Sequence, residues 1–314
     1  MIDFLKILVL DRHCIERLYK HPLLTNDSAK MKYENAKYSY RKVTYRKEYK
    51  GIFFDFSTAN GKITKLEILI KPHYYFNGGI HNANDFTVQN SINTLTEIIN
   101  LFNLPAKILP IINNEFGVNF QTPYPSRKVI LYVLYQGRNI FQNSRDDLKY
   151  SKIASKSKKD GTAYKYKMIK FYDKYLDHPE YALPNTLRFE VKSKESKYAR
   201  EQAGIKTLAD LLKPETYDKL GNILLNEWDN VLILDRFNEL NNLNDKEKER
   251  LRKYLDPITW DEYLQGSKNL FAKHKRQYNE LLDKTGQNIH KVIKDIMREK
   301  IKQLTEPAKT TIIY

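Results

Sequence analysis

The sequence has almost no cysteine, no long apolar run and no phosphate loop, and each absence excludes a class of protein. Cys14 is the only cysteine among 314 residues, so no disulfide can form within the chain, which favours a reducing cytoplasm. No stretch approaches the roughly 20 consecutive apolar residues that a membrane span requires. Asp3 and Lys6 interrupt the apolar start, so we expect neither a secretory signal nor a membrane partner. The absence of a GxxxxGK(S/T) motif argues against a nucleotide-hydrolysing enzyme of the phosphate-loop type.

Acidic residues are too few to balance the basic ones, which points to a polyanionic partner. The chain has 54 Lys and Arg against 38 Asp and Glu, a formal net charge of +16. Nucleic acid and an anionic membrane surface both attract such a charge. The 23 tyrosines are compatible with nucleic acid, because a phenol stacks on a base and hydrogen-bonds a phosphate. They are equally compatible with tyrosines that pack against strands.

The pattern of apolar residues changes along the chain. Alternation predicts strands near residues 4–10, 37–46, 51–57, 62–70, 107–121, 165–173 and 185–194, and helical spacing predicts helices near 88–102 and 126–135. Residues 151–162 have almost no apolar content and are typical of a flexible basic loop. Beyond about residue 206 the pattern is helical. We therefore expect an α+β fold with a central antiparallel sheet flanked by helices in residues 1–205, followed by a helical region in 206–314 that binds DNA or a partner.

Two predicted strands carry acidic residues on their polar faces. In KILPIINNEFGVNF, Glu115 and Asn119 share a face, while Phe116 and its alternating neighbours occupy the other. In NTLRFEVK, Glu190 lies on the polar face, where Arg188 or Lys192 could hold a phosphate. Hard oxygen ligands of this kind suit Mg²⁺ or Mn²⁺. Solvated, salt-bridged surface strands are the alternative interpretation.

The strand YKMIKFYDKY presents a candidate nucleophile. Tyr172 shares a face with Lys170 and precedes Lys174. A phenol has a pKa of about 10, so nearby cations or a metal-activated phosphate must help it attack at neutral pH. A tyrosine that packs the fold or stacks on a base has the same pattern.

A histidine and two basic stretches complete the set of candidates. His81 lies in the loop GGIHNANDF, where it could bind a metal or phosphate, or where its neighbours could simply cap the next helix. Lysines, arginines and tyrosines alternate in residues 28–50 and 145–174, a composition that suits single-stranded or distorted DNA. The candidate DNA contacts are Arg41, Lys42, Arg46, Lys158, Lys159, Lys167, Arg188 and Lys192.

Five features follow one another along the chain: GIHNANDF, a helix, INNEFGVN, IKFYDKY and LRFEVKSKESKYA. In this order they resemble the gene II type of replication initiator from filamentous phages, and more loosely the Rep proteins of rolling-circle plasmids. The resemblance covers roughly residues 1–212. It implies a strand-specific endonuclease and strand transferase that requires Mg²⁺ or Mn²⁺ and acts in a bacterial host cytoplasm with a host helicase and polymerase.

The resemblance also implies roles for particular residues. Tyr172 matches the family nucleophile, Glu115 the acidic strand and Glu190 the glutamate of the RFE motif, while His81 matches the histidine of an HN pair. Asn119 stands where related proteins often have a second acid. The chain lacks the His-x-His pair of many such nickases. Tyr175 is either a second nucleophile or a packing residue.

The expected function is therefore initiation of rolling-circle replication, by nicking an origin through a 5′-phosphotyrosine intermediate. Two alternatives stay open. One is a DNA-binding protein without catalysis that recognises an origin or operator. The other is a relaxase or transposase that uses the same tyrosine chemistry on different DNA.

Overall fold

The computed structural model describes residues 1–26, 32–35, 41–143, 150–157, 163–237 and 240–306. The described residues form thirteen strands, which pair antiparallel in one sheet. The strands are β1 Ile2–Val9, β2 Thr25–Asn26, β3 Lys32–Asn35, β4 Arg41–Tyr49, β5 Ile52–Ala59, β6 Lys62–Ile70, β7 Ile111–Gln121, β8 Val133–Gln136, β9 Asn139–Asn143, β10 Ser151–Ser157, β11 Ala163–Asp173, β12 Thr186–Ser193 and β13 Val231–Ile233.

The strand order puts distant parts of the sequence side by side. It runs β13-β8-β9-β10-β11-β12-β7-β1-β6-β5-β4-β2, and β3 pairs with β4. The centre of the sheet therefore consists of β11, β12, β7 and β1. These four strands contain all the predicted residues of the chemical site except His81 and Lys174.

Eleven α-helices and one 3₁₀ helix occur within the same described stretches. They are α1 Arg12–Tyr19, α2 Pro72–Phe76, α3 Val88–Leu101, α4 Ser126–Tyr132, α5 Lys174–Asp177, α6 Ser196–Ala203, the 3₁₀ helix Leu208–Leu212, α7 Pro214–Asp229, α8 Asp245–Tyr254, α9 Pro257–Gln265, α10 Lys268–Lys284 and α11 Ile289–Thr305. Local capping fixes several starts, as where the Thr87 hydroxyl accepts from the Asn90 amide at α3. No helix in the described residues is long and apolar enough to cross a bilayer.

Buried apolar side chains in the described part of the chain form two clusters. The larger one lies between one face of the sheet and helices α3, α6, α7 and α11. The smaller one joins α8, α9 and α10 with Tyr135 of β8 and with Leu232 and Leu234 around β13. The expected fold class, an antiparallel sheet flanked by helices with a helical carboxy-terminal region, is confirmed. The expected boundary after residue 205 does not separate the two clusters, because α7 and α11 pack on the sheet.

Two local expectations are wrong. Residues 151–157 form strand β10 rather than a loop, because their backbone pairs with β9 on one side and β11 on the other. Residues 158–162 lie outside the described part. The expected helix over 126–135 ends at Tyr132, and the chain continues directly as β8. In both places pairing with neighbouring strands outweighs local composition.

Candidate active site

The register of the central strands brings the candidate residues onto one face of the sheet. Lys170 of β11 lies opposite Glu190 of β12. Lys192, two residues further along β12 and on the same face, lies opposite Glu115 of β7. Tyr172 follows on the same face, two residues after Lys170. The predicted alternation of polar and apolar residues is therefore realised in three adjacent strands.

Gly117 lets the glutamate of β12 lie close against β7. A Cβ atom at this position would be 2.6 Å from the Phe189 carbonyl oxygen and 2.7 Å from Cγ of Glu190. Both distances are too short for a real contact. The glycine between Glu115 and Asn119 thus provides the space that Glu190 occupies.

These side chains open into a cavity of about 480 Å³. The α2 helix, the loop after it and α5 contribute further residues to its wall. The lining consists of Asp3, Phe4, Lys71, Tyr74, Asn82, Glu115, Tyr150, Ser151, Ile153, Lys170, Tyr172, Asp177 and Glu190. Three phenols, four carboxylates and two lysines therefore share one open space.

The hydroxyl of Tyr172 donates a hydrogen bond to Oε1 of Glu190 over 3.2 Å. Burial and the negative charges of Glu190 and Asp177 raise the pKa of Tyr172 well above its usual range. The Lys174 ammonium lies 5.5 Å from the centre of the Tyr172 ring. The phenol is therefore neutral at pH 7, and the Glu190 carboxylate holds its hydroxyl in position.

Glu190 is held by cations on two sides. Nε of Arg188 donates to Oε1 over 2.7 Å, and Nζ of Lys170 lies 3.4 Å from Oε2. Burial raises the pKa of Glu190, but the charges of Lys170 and Arg188 more than offset this, and the pKa falls to about 2. Oε2 is buried and has no hydrogen-bond partner among the residues that the structure describes.

Glu115 forms an ion pair with Lys170, as Glu190 does. Its Oε2 accepts from Lys170 over 3.0 Å, and its Oε1 accepts from Lys192. Burial lowers the pKa of Lys170, yet the charges of Glu190 and Glu115 outweigh burial and raise it. Lys170 is therefore a permanent positive charge between the two glutamates.

Arg188 has a different place from the one expected. It is 2% exposed and is bonded to Asp3, Asn119 and Glu190. This corrects the prediction that it holds a phosphate, because its donors already have partners inside the protein. Its effect is to fix Glu190.

Asn119, His81 and Lys174 also differ from expectation. The amide of Asn119 donates to the backbone carbonyls of Asn82 and Ala83, and its oxygen accepts from Arg188. The His81 ring stacks on Tyr181 instead of lining the cavity. Lys174 is fully buried and bonded to Asn82 and Asp177. The structure therefore does not bring Asn119 or His81 together with Glu115 and Glu190 as ligands. Of the two lysines predicted beside Tyr172, Lys170 lines the cavity and Lys174 does not.

The predicted DNA contacts lie on scattered elements. Arg46 pairs with Asp55 on neighbouring strands, and Lys167 pairs with Glu227 of α7 over 2.8 Å. The side chains of Arg41 and Lys42, and all of Lys158 and Lys159, lie outside the described part of the chain. Lys192 is bonded to Glu115.

Sequence reasoning missed several residues of the cavity, among them the ionisable side chains of Asp3, Tyr74 and Asp177. Asp3 gave a signal, since an acid inside the apolar strand IDFLKILV needs a buried partner, and Arg188 is that partner. Tyr74 and Asp177 gave no comparable signal, because they reach the cavity from helices α2 and α5.

The donor set can be compared with the expected divalent cation. In the described residues no group of three His, Cys, Asp or Glu side chains is arranged to hold a metal. Two carboxylates nevertheless face the cavity together, and one buried oxygen of Glu190 lacks a hydrogen bond. Protein sites for Mg²⁺ often supply only one or two carboxylates, with water and substrate phosphate completing the shell. Glu115 and Glu190 fit that description.

Comparison with protein-family models finds no match, and neither does comparison with curated proteins. One solved structure is similar, the rolling circle replication initiator protein from Geobacillus stearothermophilus. The alignment has 11% identity, covers 78% of this chain and 89% of that one, and has a TM-score of 0.39. A likeness at this level assigns neither a family nor a function to the chain.

Proposed function

We propose that this chain initiates rolling-circle DNA replication by nicking one strand of an origin and becoming joined to it through Tyr172. The observation that carries the proposal is the Tyr172 hydroxyl, 3.2 Å from Glu190 in an open cavity that Glu115 and Lys170 also line. A hydroxyl held in position by a hydrogen bond, with a lysine cation in the same cavity, is an arrangement that covalent catalysis can use. The net charge of +16 and the resemblance of the IKFYDKY and LRFEVK strands support DNA as the substrate.

In the proposed step the phenol oxygen of Tyr172 attacks the scissile phosphorus. The new bond joins this oxygen to phosphorus, and the bond from phosphorus to the 3′ oxygen breaks. The phenolic proton is lost to solvent water as the new bond forms, and the departing 3′ oxygen takes up a proton from water, so the protons balance. The Glu190 carboxylate keeps the hydroxyl in position. The products are a 5′-phosphotyrosyl ester and a free 3′-hydroxyl.

Charge on the phosphoryl oxygens is stabilised by groups that are in place before the reaction. Lys170 supplies a fixed positive charge at the cavity wall, and Arg188 keeps Glu190 oriented. Glu115 and Glu190 would hold Mg²⁺ or Mn²⁺, which when bound supplies Lewis-acid stabilisation of the phosphate. Binding of the cation requires Lys170 to move away from one of the two glutamates.

The ester retains the energy of the broken phosphodiester. The reverse reaction can therefore rejoin the displaced strand without a nucleotide cofactor, while the free 3′-hydroxyl primes synthesis. A helicase and a polymerase of the bacterial host would complete replication in its cytoplasm.

The test is whether a covalent adduct forms between the protein and DNA. The protein is incubated with Mg²⁺ or Mn²⁺ and a library of labelled single-stranded origin fragments, then resolved on a denaturing gel. We expect an adduct in the wild type and in Tyr175→Phe, and none in Tyr172→Phe. An adduct that forms with Tyr172→Phe but not with Tyr175→Phe would show that Tyr175 is the nucleophile.

The same experiment separates the alternatives. Retarded DNA on a native gel with no adduct under any metal condition would identify a DNA-binding protein without catalysis. An adduct formed only with transfer-origin or transposon-end DNA would identify a relaxase or a transposase.

A further inference from the structure

Two short segments next to the cavity residues Tyr74 and Asp177 carry exposed apolar side chains. Among the described residues, five such side chains come from two short segments, residues 76–80 and 176–183. Leu183 is 64% exposed and Ile80 is 61% exposed. We call this set the apolar rim. It consists of Phe76, Ile80, Leu176, Tyr181 and Leu183.

The two segments contact each other through stacked rings. The ring of His81 lies 3.9 Å from the ring of Tyr181, with 15° between their planes. Tyr181 remains 41% exposed, so this contact leaves part of its ring open to solvent. Desolvation and the charge of Lys174 lower the pKa of His81, which leaves an uncharged imidazole in the stack at neutral pH.

The rim is continuous with the cavity. The His81 and His178 rings are 6.4 Å apart, and Nε2 of His178 lies 3.1 Å from the hydroxyl of Tyr74. Tyr74 lines the cavity together with Tyr172. A strand whose phosphate lies against Tyr172 would therefore extend its next nucleotides towards Tyr181.

The chemistry of the rim matches unpaired bases. Aromatic rings next to cations are the usual elements of single-strand binding, because rings stack on bases and cations hold phosphates. Lys71 lines the cavity wall, with its ammonium 5.3 Å from the Tyr74 ring. Bases within a duplex are already stacked and paired, so their faces are not available to such a surface.

We propose that the apolar rim, with Tyr181 on His81 as its stacking platform, binds unpaired bases of the DNA strand next to the phosphate that Tyr172 attacks. This proposal rests on the proposed function and specifies its substrate as a strand that is unpaired where it leaves the cavity. The rim then selects melted over duplex DNA, while the lysines of the cavity hold the backbone.

The test uses the full chain with Tyr172→Phe, without metal, so that binding is measured in the absence of cleavage. The probes are an oligodeoxyadenylate and an abasic oligomer of the same length, which carries the same phosphates and no bases. The variants are Tyr181→Ala, Tyr181→Phe and Leu183→Asn. Tyr164→Ala is the matched control, because Tyr164 is 40% exposed and lies within 5.3 Å of the Lys156 ammonium at the other end of β11.

We expect Tyr181→Ala to weaken binding of the oligodeoxyadenylate by about 5- to 150-fold, the range that corresponds to one stacked base. Its affinity for the abasic oligomer should stay unchanged. Tyr181→Phe should bind like the parent because the ring remains, Leu183→Asn should lose less than Tyr181→Ala, and Tyr164→Ala should lose nothing.

Equal affinity of the parent and Tyr181→Ala for the oligodeoxyadenylate would refute the proposal, as would equal losses for the two probes. The proposal would also be refuted if the chain formed a dimer that Tyr181→Ala dissociates while the affinity for both probes stays unchanged. The rim would then be an interface between copies of the chain. Because no cleavage is measured, failure of Tyr172 to form an adduct would leave this result standing.

Discussion

Replacing Glu190 with glutamine removes the negative charge on which Arg188 and Lys170 converge, and we expect it to destabilise the protein markedly. The pKa of this carboxyl falls from an ordinary value of 4.5 to about 2 in the folded chain. A shift of this size corresponds to about 3 kcal/mol of stability at pH 7. Only 4% of the side chain is exposed, so solvent screening takes little away.

The effect of the substitution depends on pH in a defined direction. The folded pKa of Glu190 is depressed, so its contribution is complete above the unfolded value near 4.5 and is lost as the pH falls through about 2. The wild type and Glu190→Gln should therefore differ by about 3 kcal/mol at pH 7. The difference should narrow progressively below pH 4.5.

Urea denaturation at several pH values measures this difference, since urea does not screen charges. Trp228 is a suitable reporter because its ring lies 5.5 Å from that of Phe171 and 5.4 Å from that of Phe189, behind the site strands. Glu16→Gln is the control, because Glu16 forms an exposed ion pair with Arg12. Equal stability of wild type and Glu190→Gln at pH 7, or a difference that persists in acid, would refute the reasoning.

Three further substitutions test other parts of the site and core. Gly117→Ala places a Cβ atom 2.6 Å from the Phe189 carbonyl oxygen, so β7 and β12 must separate. We expect urea denaturation to show about 1–3 kcal/mol of destabilisation, and the denaturing gel to show at least a tenfold loss of the protein–DNA adduct. An unchanged adduct yield would contradict this. Burial lowers the pKa of Lys152 from 10.5 to about 8, so wild-type stability should rise between pH 8 and 10.5. Urea denaturation should show that Lys152→Met, which has no titrating group there, loses this rise. Neither amide atom of buried Asn114 has a hydrogen-bond partner among the described residues, so Asn114→Leu should raise the free energy of unfolding by about 1–2 kcal/mol, and a decrease would show that a partner is present.

The shared face of the site could be predicted from the sequence because strand side chains alternate with a period of two. That rule alone places Glu115 and Phe116 on opposite faces of their strand, and Tyr172 and Lys170 on the same face of theirs. It also predicts that these faces meet if the strands are neighbours. The structure confirms that they are neighbours, in the order β11, β12, β7.

The depth of the site could not be predicted, because alternation does not indicate what covers a polar face. Arg188 was expected to face solvent, yet α2, α5 and their following loops lie over that face and leave it 2% exposed. Asp3 reaches it from β1, about 185 residues away in sequence. Long-range register of this kind depends on strand order, which the sequence alone does not specify.

The helical carboxy-terminal region shows the same limit. The apolar stripe of residues 289–304 indicates an amphipathic helix, and α11 has this stripe buried. The stripe does not reveal its target, which is the sheet and α7 rather than the neighbouring helices α8 to α10. The contacts that divide the chain into two cores are therefore visible only in three dimensions.

A divalent cation should stabilise the folded chain if Glu115 and Glu190 hold it as proposed. At a free Mg²⁺ concentration ten times its dissociation constant, the stabilisation is about 1.4 kcal/mol, or roughly 2 °C in melting temperature for a chain of this size. Tyr172→Phe should keep this shift, because the hydroxyl is not required to bind the cation. Glu115→Gln should lose it, because one of the two carboxylates is gone.

Lys170→Ala provides the decisive comparison. Its ammonium lies between the two glutamates, 3.0 Å from Glu115 and 3.4 Å from Glu190, so it competes with any cation for the same oxygens. Removing it should therefore lower the Mg²⁺ concentration needed for half of the melting-temperature shift. If Mg²⁺ stabilised Glu115→Gln as much as the wild type, or if Lys170→Ala bound it more weakly, the cation would be held elsewhere and these glutamates would serve only the ion pairs.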